Sequence, residues 1–211
     1  MSDQAKELAV EITERRVTRG HGLLEGFLAR QRARRADSLI PEDLRKGRIL
    51  DIGCGSYPAF LSSTRFAERY GLDRVALADV RQAGLKLVEH DIAGGSALPF
   101  DNTFFEVVTM LAVFEHLEPQ TLGTLLKEIR RVLRPGGIYV MTTPVRWTEG
   151  ILKGMSFLKL VSHEEVDEHK AQYSSREILS ELVEAGFDGS QVRHGTFELG
   201  MNVWAVAQKS S

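Results

Sequence analysis

The sequence predicts an α/β fold: a doubly wound, mostly parallel sheet with helices on both faces. Three observations lead to this prediction. Apolar strand patterns alternate with amphipathic helix patterns through the middle of the 211-residue chain. The segment ILDIGCGSYP (49–58) has the pattern of a buried strand, a glycine turn and a helix start, which together form the ligand-binding corner of such folds. Two short strand patterns around Gly200 predict an antiparallel hairpin at one edge of the sheet.

The predicted elements follow one another along the chain in that alternation. The predicted strands are 49–52, 75–79, 86–92, 104–113 and 138–143, and the first and last predicted helices are 58–70 and one between Ser174 and Gly186. A further helix is predicted to begin near Pro119 and to stop at Pro135-Gly136-Gly137. One face of that helix is apolar: Leu122, Leu125, Leu126, Ile129, Val132 and Leu133. The segment FFEVVTMLAV (104–113) is almost continuously apolar, which is typical of a strand at the centre of a parallel sheet. Ser174 and Glu177 have the spacing of a capping box, so we expect the last helix to begin there.

Two segments lie outside the alternating region. Residues 1–47 have the pattern of two helices and are predicted to form an N-terminal lid or attachment. Residues 48–211 form the predicted α/β domain, and 145–173 form an insertion within it. That insertion is too long for an ordinary connection between a strand and a helix. Long insertions at the ligand edge of a sheet often form lids or substrate pockets, which is the role we expect here.

Composition limits the class of protein. Apolar residues make up 43% and charged residues 27% of the chain, which is typical of a soluble globular protein. The formal net charge of −2 provides no overall field that would attract nucleic acid. The single cysteine, Cys54, favours a reducing compartment. No apolar run approaches the roughly 20 residues of a membrane span, and the charged N-terminus lacks the apolar core of a secretion signal. The chain is therefore expected to be cytoplasmic.

The glycine turn differs from a dinucleotide-binding turn. The G-x-G-x-x-G fingerprint would require a third glycine where this chain has Pro58. No Lys or Arg lies within the turn to bind a phosphate, and a simple tight turn is the alternative interpretation. Asp79, at the end of the predicted second strand, could accept hydrogen bonds from ribose hydroxyls. Asp91 and Ile92 follow on the next strand and could contact a base. The pattern favours a nucleoside pocket over a pyrophosphate site.

The order of these motifs resembles a known family. The segments that carry the resemblance are ILDIGCG (49–55), Asp79, HDI (90–92), LPFDNTFFEVV (98–108), VFEHL (113–117) and EIRRVLRPGGIYVMTTP (128–144). Together they resemble the class I S-adenosylmethionine-dependent methyltransferases over roughly residues 45–145. The resemblance implies a seven-stranded sheet and S-adenosyl-L-methionine in the cleft at the carboxyl ends of the strands. The cofactor-binding residues that it implies are Asp51, Gly53, Cys54, Gly55, Asp79, Asp91, Ile92, Leu111 and Ala112.

The implied roles follow the parts of the cofactor. Residues 51–55 would shape the methionine side of the pocket, and Leu111 and Ala112 would offer backbone groups to its amino end. Asp79 would hold the ribose. Only 11 residues separate Asp79 from Asp91, so the helix normally found between them would have to be short or absent. Asp73 is the alternative to Asp79, but it precedes the predicted strand and would point away from the cleft.

Three histidines are candidates for a general base, because imidazole titrates near neutral pH. His116 follows the predicted fourth strand, and His163 and His169 lie in the insertion. The alternatives are a locally hydrogen-bonded His116 and a solvated, charged helix face for the other two. The spacing of the histidines and carboxylates in SHEEVDEHK (162–170) fits no metal-binding pattern, so no metal is predicted.

The acceptor is the least determined part of the prediction. Ile151, Leu152, Met155 and Leu158 share one predicted helix face, which would suit packing, a hydrophobic acceptor pocket or a membrane surface. Arg30, Arg32, Arg34 and Arg35 form a basic stripe, typical of a solvated helix face but also suited to acidic head groups or a phosphorylated substrate. Nucleic acid is disfavoured, because no Asn-Pro-Pro-aromatic element follows the fourth strand.

The functional expectation is therefore methyl transfer from S-adenosyl-L-methionine to a small-molecule acceptor. Transfer to oxygen or nitrogen is expected, and the acceptor could be hydrophobic or linked to a lipid or sugar. One alternative is a non-catalytic binding module that keeps the fold. The other is a nicotinamide-dependent oxidoreductase. The identity of the acceptor and the oligomeric state stay open.

Overall fold

The computed structural model describes residues 25–55, 58–74, 84–145 and 173–210. Its helices are α1 (Glu25–Leu39), α2 (Ala59–Ser63), α3 (Pro119–Val132) and α4 (Ser175–Glu184). Its strands are β1 (Arg48–Ile52), β2 (Glu68–Asp73), β3 (Leu85–Glu89), β4 (Phe105–Leu111), β5 (Leu133–Pro144), β6 (Val192–Phe197) and β7 (Asn202–Gln208). Short 3₁₀ turns cover Glu42–Lys46, Ile92–Gly94, Phe114–His116 and Gly189–Gln191.

The described strands form one seven-stranded sheet in the order β3-β2-β1-β4-β5-β7-β6. Strands β1 to β5 pair in parallel, and β7 runs antiparallel to both β5 and β6. The predicted fold, including the antiparallel edge hairpin, is confirmed. The strand order reverses at β1, because β2 and β3 lie on one side of it and β4 on the other. Such a reversal opens a crevice at the carboxyl ends of the two central strands, where ligands bind in open α/β sheets.

Each face of the sheet is covered by its own helices. On one face, α3 and α4 pack on side chains such as Tyr139 and Met141. On the other, α1 and α2 pack on Ile49, Val107 and Val140. Neighbouring residues of β5 belong to opposite cores because successive strand residues point to opposite faces. The second predicted N-terminal helix thus packs directly on the sheet as α1, whereas its function as a lid stays a prediction.

Helix α1 is anchored over the C-terminal hairpin as well as over the sheet. The guanidinium of Arg35 lies 4.7 Å from the ring centroid of Trp204 on β7, a favourable cation–π distance. The indole in turn lies against Gly195 of β6, where an added Cβ would come within 2.8 Å of the ring. None of the helices in the described ranges is long and apolar enough to span a bilayer.

Several predicted local signals are confirmed. Pro119 is the first residue of α3, where its missing N–H costs nothing. The predicted capping box is present, because Ser174 and Glu177 each accept a hydrogen bond from the other's backbone N–H. Gly186 has a φ of +95° just beyond α4, as expected for a glycine that ends a helix. The apolar side chains predicted to share one face of α3 are buried: Leu122, Leu125, Leu126, Ile129 and Val132.

The second strand is not where the sequence pattern placed it. The strand that pairs with β1 is Glu68–Asp73 rather than 75–79, and 75–83 lie outside the described residues. The predicted helix 58–70 was also wrong, since α2 ends at Ser63. Packing explains the difference. Tyr70 is buried in the core, and an added Cβ at Gly71 would lie 2.7 Å from a methyl carbon of Leu87, so β2 requires that glycine. Tertiary contacts therefore outweigh the low strand propensity of ERYGLD.

Two other boundaries differ from the prediction. Strand β3 ends at Glu89, so Asp91 and Ile92 follow the strand instead of ending it. Strand β5 begins at Leu133, directly after α3, and the predicted stop at 135–137 lies within it. Gly137 belongs in this strand because an added Cβ would lie 2.9 Å from the carbonyl oxygen of Glu106.

Candidate active site

A buried carboxylate lies near the end of β1, at the carboxyl edge where the strand order reverses. Asp51 is only 4% exposed. Thr109 of the neighbouring strand β4 donates its hydroxyl to an Asp51 carboxylate oxygen at 2.6 Å. Asp51 and Thr109 are direct partners in the parallel register, so their side chains share one face of the sheet. Thr109 was not among the residues predicted from the sequence. The signal that could have identified it is a polar residue within the mostly apolar strand FEVVTML.

The glycine turn follows immediately and packs between the two neighbouring strands. Gly53 and Gly55 have φ values of +74° and +71°, in the left-handed region that glycine tolerates best. The backbone N–H groups of Gly53 and Cys54 donate to the carbonyl oxygen of Leu72 at 2.8 and 3.3 Å. An added Cβ at Gly53 would lie 2.4 Å from a methyl carbon of Val113. The turn therefore needs a glycine at position 53 for both conformation and space.

Asp73 ends β2 and faces this turn. It is 7% exposed, and its Oδ2 accepts a hydrogen bond from the backbone N–H of Gly55 at 2.8 Å. The expectation that Asp73 points away from the cleft was therefore wrong, because it rested on the misplaced second strand. Asp79 lies outside the described residues. With β2 ending at Asp73, residues 74–84 connect it to β3, and the unusually short connection before Asp91 no longer arises.

Two buried carboxyl groups influence each other at this turn. Burial raises the pKa of Asp51 to about 7, the hydroxyl of Thr109 opposes the shift, and the charge of Asp73 adds to it. Burial and the same two carboxylates also raise the pKa of the Cys54 thiol. Cys54 is therefore neutral at physiological pH and contributes packing and backbone, not a nucleophile. Two carboxylates at a glycine turn favour a cationic ligand and would repel a pyrophosphate.

The remaining predicted cofactor residues lie at the ends of β3 and β4. Asp91 is exposed, and its side chain accepts the N–H of Ala93 at 2.9 Å, which fixes the start of the following turn. Ile92 is partly buried against the core. After β4, Ala112 has a φ of +56° and donates its N–H to the carbonyl oxygen of Thr142 at 2.9 Å. The Ala112 N–H is thus engaged by β5, so the backbone group that Ala112 could offer a ligand is its carbonyl.

His116 lies in a short turn that is fixed on both sides. The preceding residue, Glu115, is 2% exposed and accepts a hydrogen bond from the Thr143 hydroxyl of β5 at 2.9 Å. Phe114 packs edge-on against Tyr173, with ring centroids 4.7 Å apart. The turn therefore presents a partly exposed His116 at the carboxyl edge.

The other two candidate bases, His163 and His169, lie outside the described residues. Within the described ranges, no group of three or more His, Cys, Asp or Glu side chains could hold a metal ion.

Comparison with known proteins matches this geometry to a family. Residues 50–141, which run from β1 into β5, match the family model of the methyltransferase domain. This region of the chain is similar to the S-adenosylmethionine-dependent methyltransferases. The cofactor of this family is S-adenosyl-L-methionine. A cation with a sulfonium and an ammonium group is compatible in charge with the neighbouring carboxylates of Asp51 and Asp73.

A relative from Mycolicibacterium smegmatis (strain ATCC 700084 / mc(2)155) is described as a probable S-adenosylmethionine-dependent methyltransferase. It is 35% identical to this chain over 105 residues, which are 47% of the chain and 39% of the relative. The chain thus spans well under half the length of that curated relative.

Two solved structures share the fold. An S-adenosylmethionine-dependent methyltransferase from Mesorhizobium loti has a TM-score of 0.62 and 18% identity, with 83% of this chain and 96% of that chain covered. One from Archaeoglobus fulgidus has a TM-score of 0.64 and 18% identity, with coverage of 85% and 94%. At such low identity the two structures establish the fold alone.

The packing of the glycine turn yields a first prediction. Gly53→Ala should lower the free energy of unfolding by about 1–3 kcal/mol, because it adds left-handed strain and a contact with Val113. Urea unfolding measures this loss, and calorimetry should show weaker binding of S-adenosylmethionine. Gly94→Ala is the matched control, since an added Cβ there meets nothing within 4 Å. Equal stability of the two variants would contradict the packing argument.

The buried carboxylate yields a second prediction. The pKa of Asp51 in the folded chain is about 7, above the ordinary value of 3.8, so the folded state holds this proton more tightly than the unfolded state. The contribution of Asp51 to the free energy of unfolding is therefore greatest below the ordinary pKa. It falls as pH rises from 3.8 to about 7 and is constant above.

Urea unfolding at pH 5 and pH 8 tests this dependence. The stability of the wild type relative to Asp51→Asn should be lower at pH 8 than at pH 5. Thr109→Val should raise the pKa of Asp51 further, because the hydroxyl of Thr109 lowers it. Asp188→Asn is a suitable control, since hydrogen bonds from Ser190 lower the pKa of Asp188 and its titration lies below this window. A similar change for Asp188→Asn would count against burial of Asp51 as the cause.

Proposed function

We propose that this chain is an enzyme that transfers the methyl group of S-adenosylmethionine to oxygen or nitrogen of a small-molecule acceptor. The observation that carries the proposal is the pair of buried carboxylates, Asp51 and Asp73, at the glycine turn where the strand order reverses. A methionine ammonium and a sulfonium are cations, so both gain from this negative charge. The relative's name and the matched domain support the same reaction class.

Asp73 takes the ribose in this proposal, in place of Asp79. Asp73 ends the strand next to β1 and is held toward the turn by the Gly55 N–H. A carboxylate has about four lone-pair sites on its two oxygens, so an acceptor of one backbone hydrogen bond can also accept from ribose hydroxyls. Asp91 and Ile92 then lie one strand further out, where the base would extend. Leu111 and Ala112 provide backbone groups beside the methionine ammonium.

The chemistry requires alignment more than activation by the protein. When bound, S-adenosylmethionine supplies an electrophilic methyl group on a good leaving group. The chain's residues must hold the acceptor in line with that methyl group and exclude water. An acceptor hydroxyl or protonated amine must also lose a proton. His116 is our proposed base, and Glu115 with Thr143 holds its turn in place. His163 and His169 in the insertion are the alternative bases.

Calorimetry with S-adenosylmethionine and its demethylated product tests the cofactor site. Asp73→Asn should weaken binding by about tenfold or more, because hydrogen bonds to a charged group are worth about 1.5–3 kcal/mol each. Asp79→Asn should bind like the wild type if Asp73 holds the ribose. The opposite pattern would assign the ribose to Asp79. Failure of the folded wild type to bind either compound, or binding of a nicotinamide dinucleotide instead, would overturn the cofactor assignment.

A release assay for the demethylated cofactor, run on a panel of hydroxylated and amine-bearing acceptors, tests catalysis. His116→Gln should lower kcat by about 10²–10⁴-fold and remove the acidic limb of the pH–rate profile, with little change in cofactor affinity. His194→Gln on β6 is the control, since His194 is exposed and distant in the fold from the carboxyl ends of β1 and β4. If His163→Gln or His169→Gln instead removes the acidic limb of the pH–rate profile, the general base is the altered histidine of the insertion. Binding without turnover on any acceptor would favour a non-catalytic module.

A further inference from the structure

The turn between β6 and β7 lies at the same edge of the sheet as the proposed cofactor site. Strands β5 and β6 both run antiparallel to β7, so they run in the same direction. Their carboxyl ends are joined across β7 at this edge, where the N–H of Val145 donates to the carbonyl oxygen of Met201 at 3.0 Å. The β6–β7 turn therefore lies at the carboxyl edge of the sheet, on the far side of β5 from the reversal between β1 and β4.

This turn has an unfavourable backbone and an inverted side-chain arrangement. Glu198, Leu199 and Gly200 have consecutive φ values of 52°, 55° and 83°. Non-glycine residues adopt positive φ angles only at a cost in conformational energy, so the conformation of Glu198 and Leu199 needs a physical reason. The carboxylate of Glu198 is turned inward, where it accepts a hydrogen bond from the side-chain amide of Asn202. The side chain of Leu199 is 96% exposed. In this turn the charged side chain of Glu198 faces inward, and the apolar side chain of Leu199 faces solvent.

The middle of helix α1 lies near this turn. Burial raises the pKa of Glu198 while the positive charge of Arg32 opposes the shift, so Arg32 lies near the turn. After Arg32 the chain continues to the end of α1 and then through the turn Glu42–Lys46 to the start of β1. The start of β1 lies at the amino edge of the sheet, opposite the carboxyl edge. Phe27 lies five residues before Arg32, about 7 Å further along the helix axis toward the carboxyl edge. Phe27 is 48% exposed.

The structure divides the basic stripe predicted from the sequence into two parts. Arg32 and Arg35 face the hairpin, toward Glu198 and Trp204. Arg30 and Arg34 are exposed, and they follow Phe27 at intervals that place the three on one helix face. Among the described side chains of α1, the acidic one is Asp37, and its carboxylate pairs with Arg45 at 2.9 Å. The exposed face of α1 is therefore apolar at its start and basic along its length.

We propose that Leu199, Phe27, Arg30 and Arg34 form a rim that docks on the surface of an anionic lipid bilayer. Apolar side chains beside arginines are the composition of peripheral contacts, in which the apolar groups enter the head-group layer and the cations meet lipid phosphates. Charge complementarity selects the anionic bilayer, because the rim is locally basic on a chain whose formal net charge is −2. Docking by this rim would turn the crevice toward the membrane, and this contact does not require that the chain be a methyltransferase.

Vesicle flotation with the full chain tests the rim. The wild type should bind phosphatidylcholine–phosphatidylglycerol vesicles, bind pure phosphatidylcholine vesicles weakly, and release at high salt, which screens exposed charges. Leu199→Asp and Arg30→Glu should each lower the partition coefficient at least about tenfold. The matched control is Val183→Asp. Val183 is 47% exposed on α4, which covers the other face of the sheet, so this variant should bind like the wild type.

Three results would overturn the proposal. They are failure of the wild type to bind anionic vesicles, equal binding to neutral vesicles, and an equal loss for Val183→Asp. A wild-type dimer that Leu199→Asp converts to a monomer, without vesicle binding, would assign the rim to a second copy of the chain. Thermal unfolding should show that the variants are folded, because all the altered positions are exposed. Unchanged affinity of Leu199→Asp for S-adenosylmethionine would separate a failure of docking from a failure of the cofactor site.

Discussion

The hydrogen bond from the Gly55 backbone to Asp73 is the interaction on which the proposed site depends. It joins the glycine turn after β1 to the end of β2. Asp51 lies at the other end of the same turn, tied to β4 through Thr109. Three neighbouring strands are thereby joined at the reversal of strand order. The result is a backbone turn flanked by two carboxylates, and this charge distribution distinguishes the site from a phosphate-binding turn with similar glycines.

Burial accounts for both the electrostatics and the rigidity of this region. Asp51 is withdrawn from water, so its charged form is disfavoured and its pKa rises. A bound cation would restore favourable interactions to that charge. The neighbouring turn is fixed in a comparable way, because the Glu115 carboxylate accepts from Thr143 and Phe114 packs on Tyr173. His116 is therefore the partly exposed residue of a turn in which Phe114 and Glu115 are buried. A side chain on a turn that is already held in place loses less conformational freedom when the reacting groups are aligned.

The outcome for β2 shows where sequence reasoning succeeds and where it fails. The segment containing Asp79 has the composition of a strand, and ERYGLD does not. The chain nevertheless forms its second strand at ERYGLD, because Tyr70 and Leu72 bury their side chains and Gly71 leaves room for Leu87 and Cys54. The misplaced second strand also changed the interpretation of Asp73, from a residue that points away from the cleft to one that is hydrogen-bonded to the glycine turn. By contrast, Pro119, the Ser174 capping box and the C-terminal hairpin depend on neighbours in sequence, and all three were predicted correctly.

The amino-acid sequence was enough to predict the fold class, the position of the glycine turn and the resemblance to the methyltransferases, because each follows from local periodicity or from motifs in a fixed order. Three features required the folded chain: which carboxylate faces the glycine turn, which arginines of α1 are exposed, and the exposure of Leu199 beside an inward-facing Glu198. Those features depend on contacts between residues far apart in the chain, such as Gly55 with Asp73 and Arg32 with Glu198. Propensity and periodicity carry no information about such pairs until the strands have been placed beside one another.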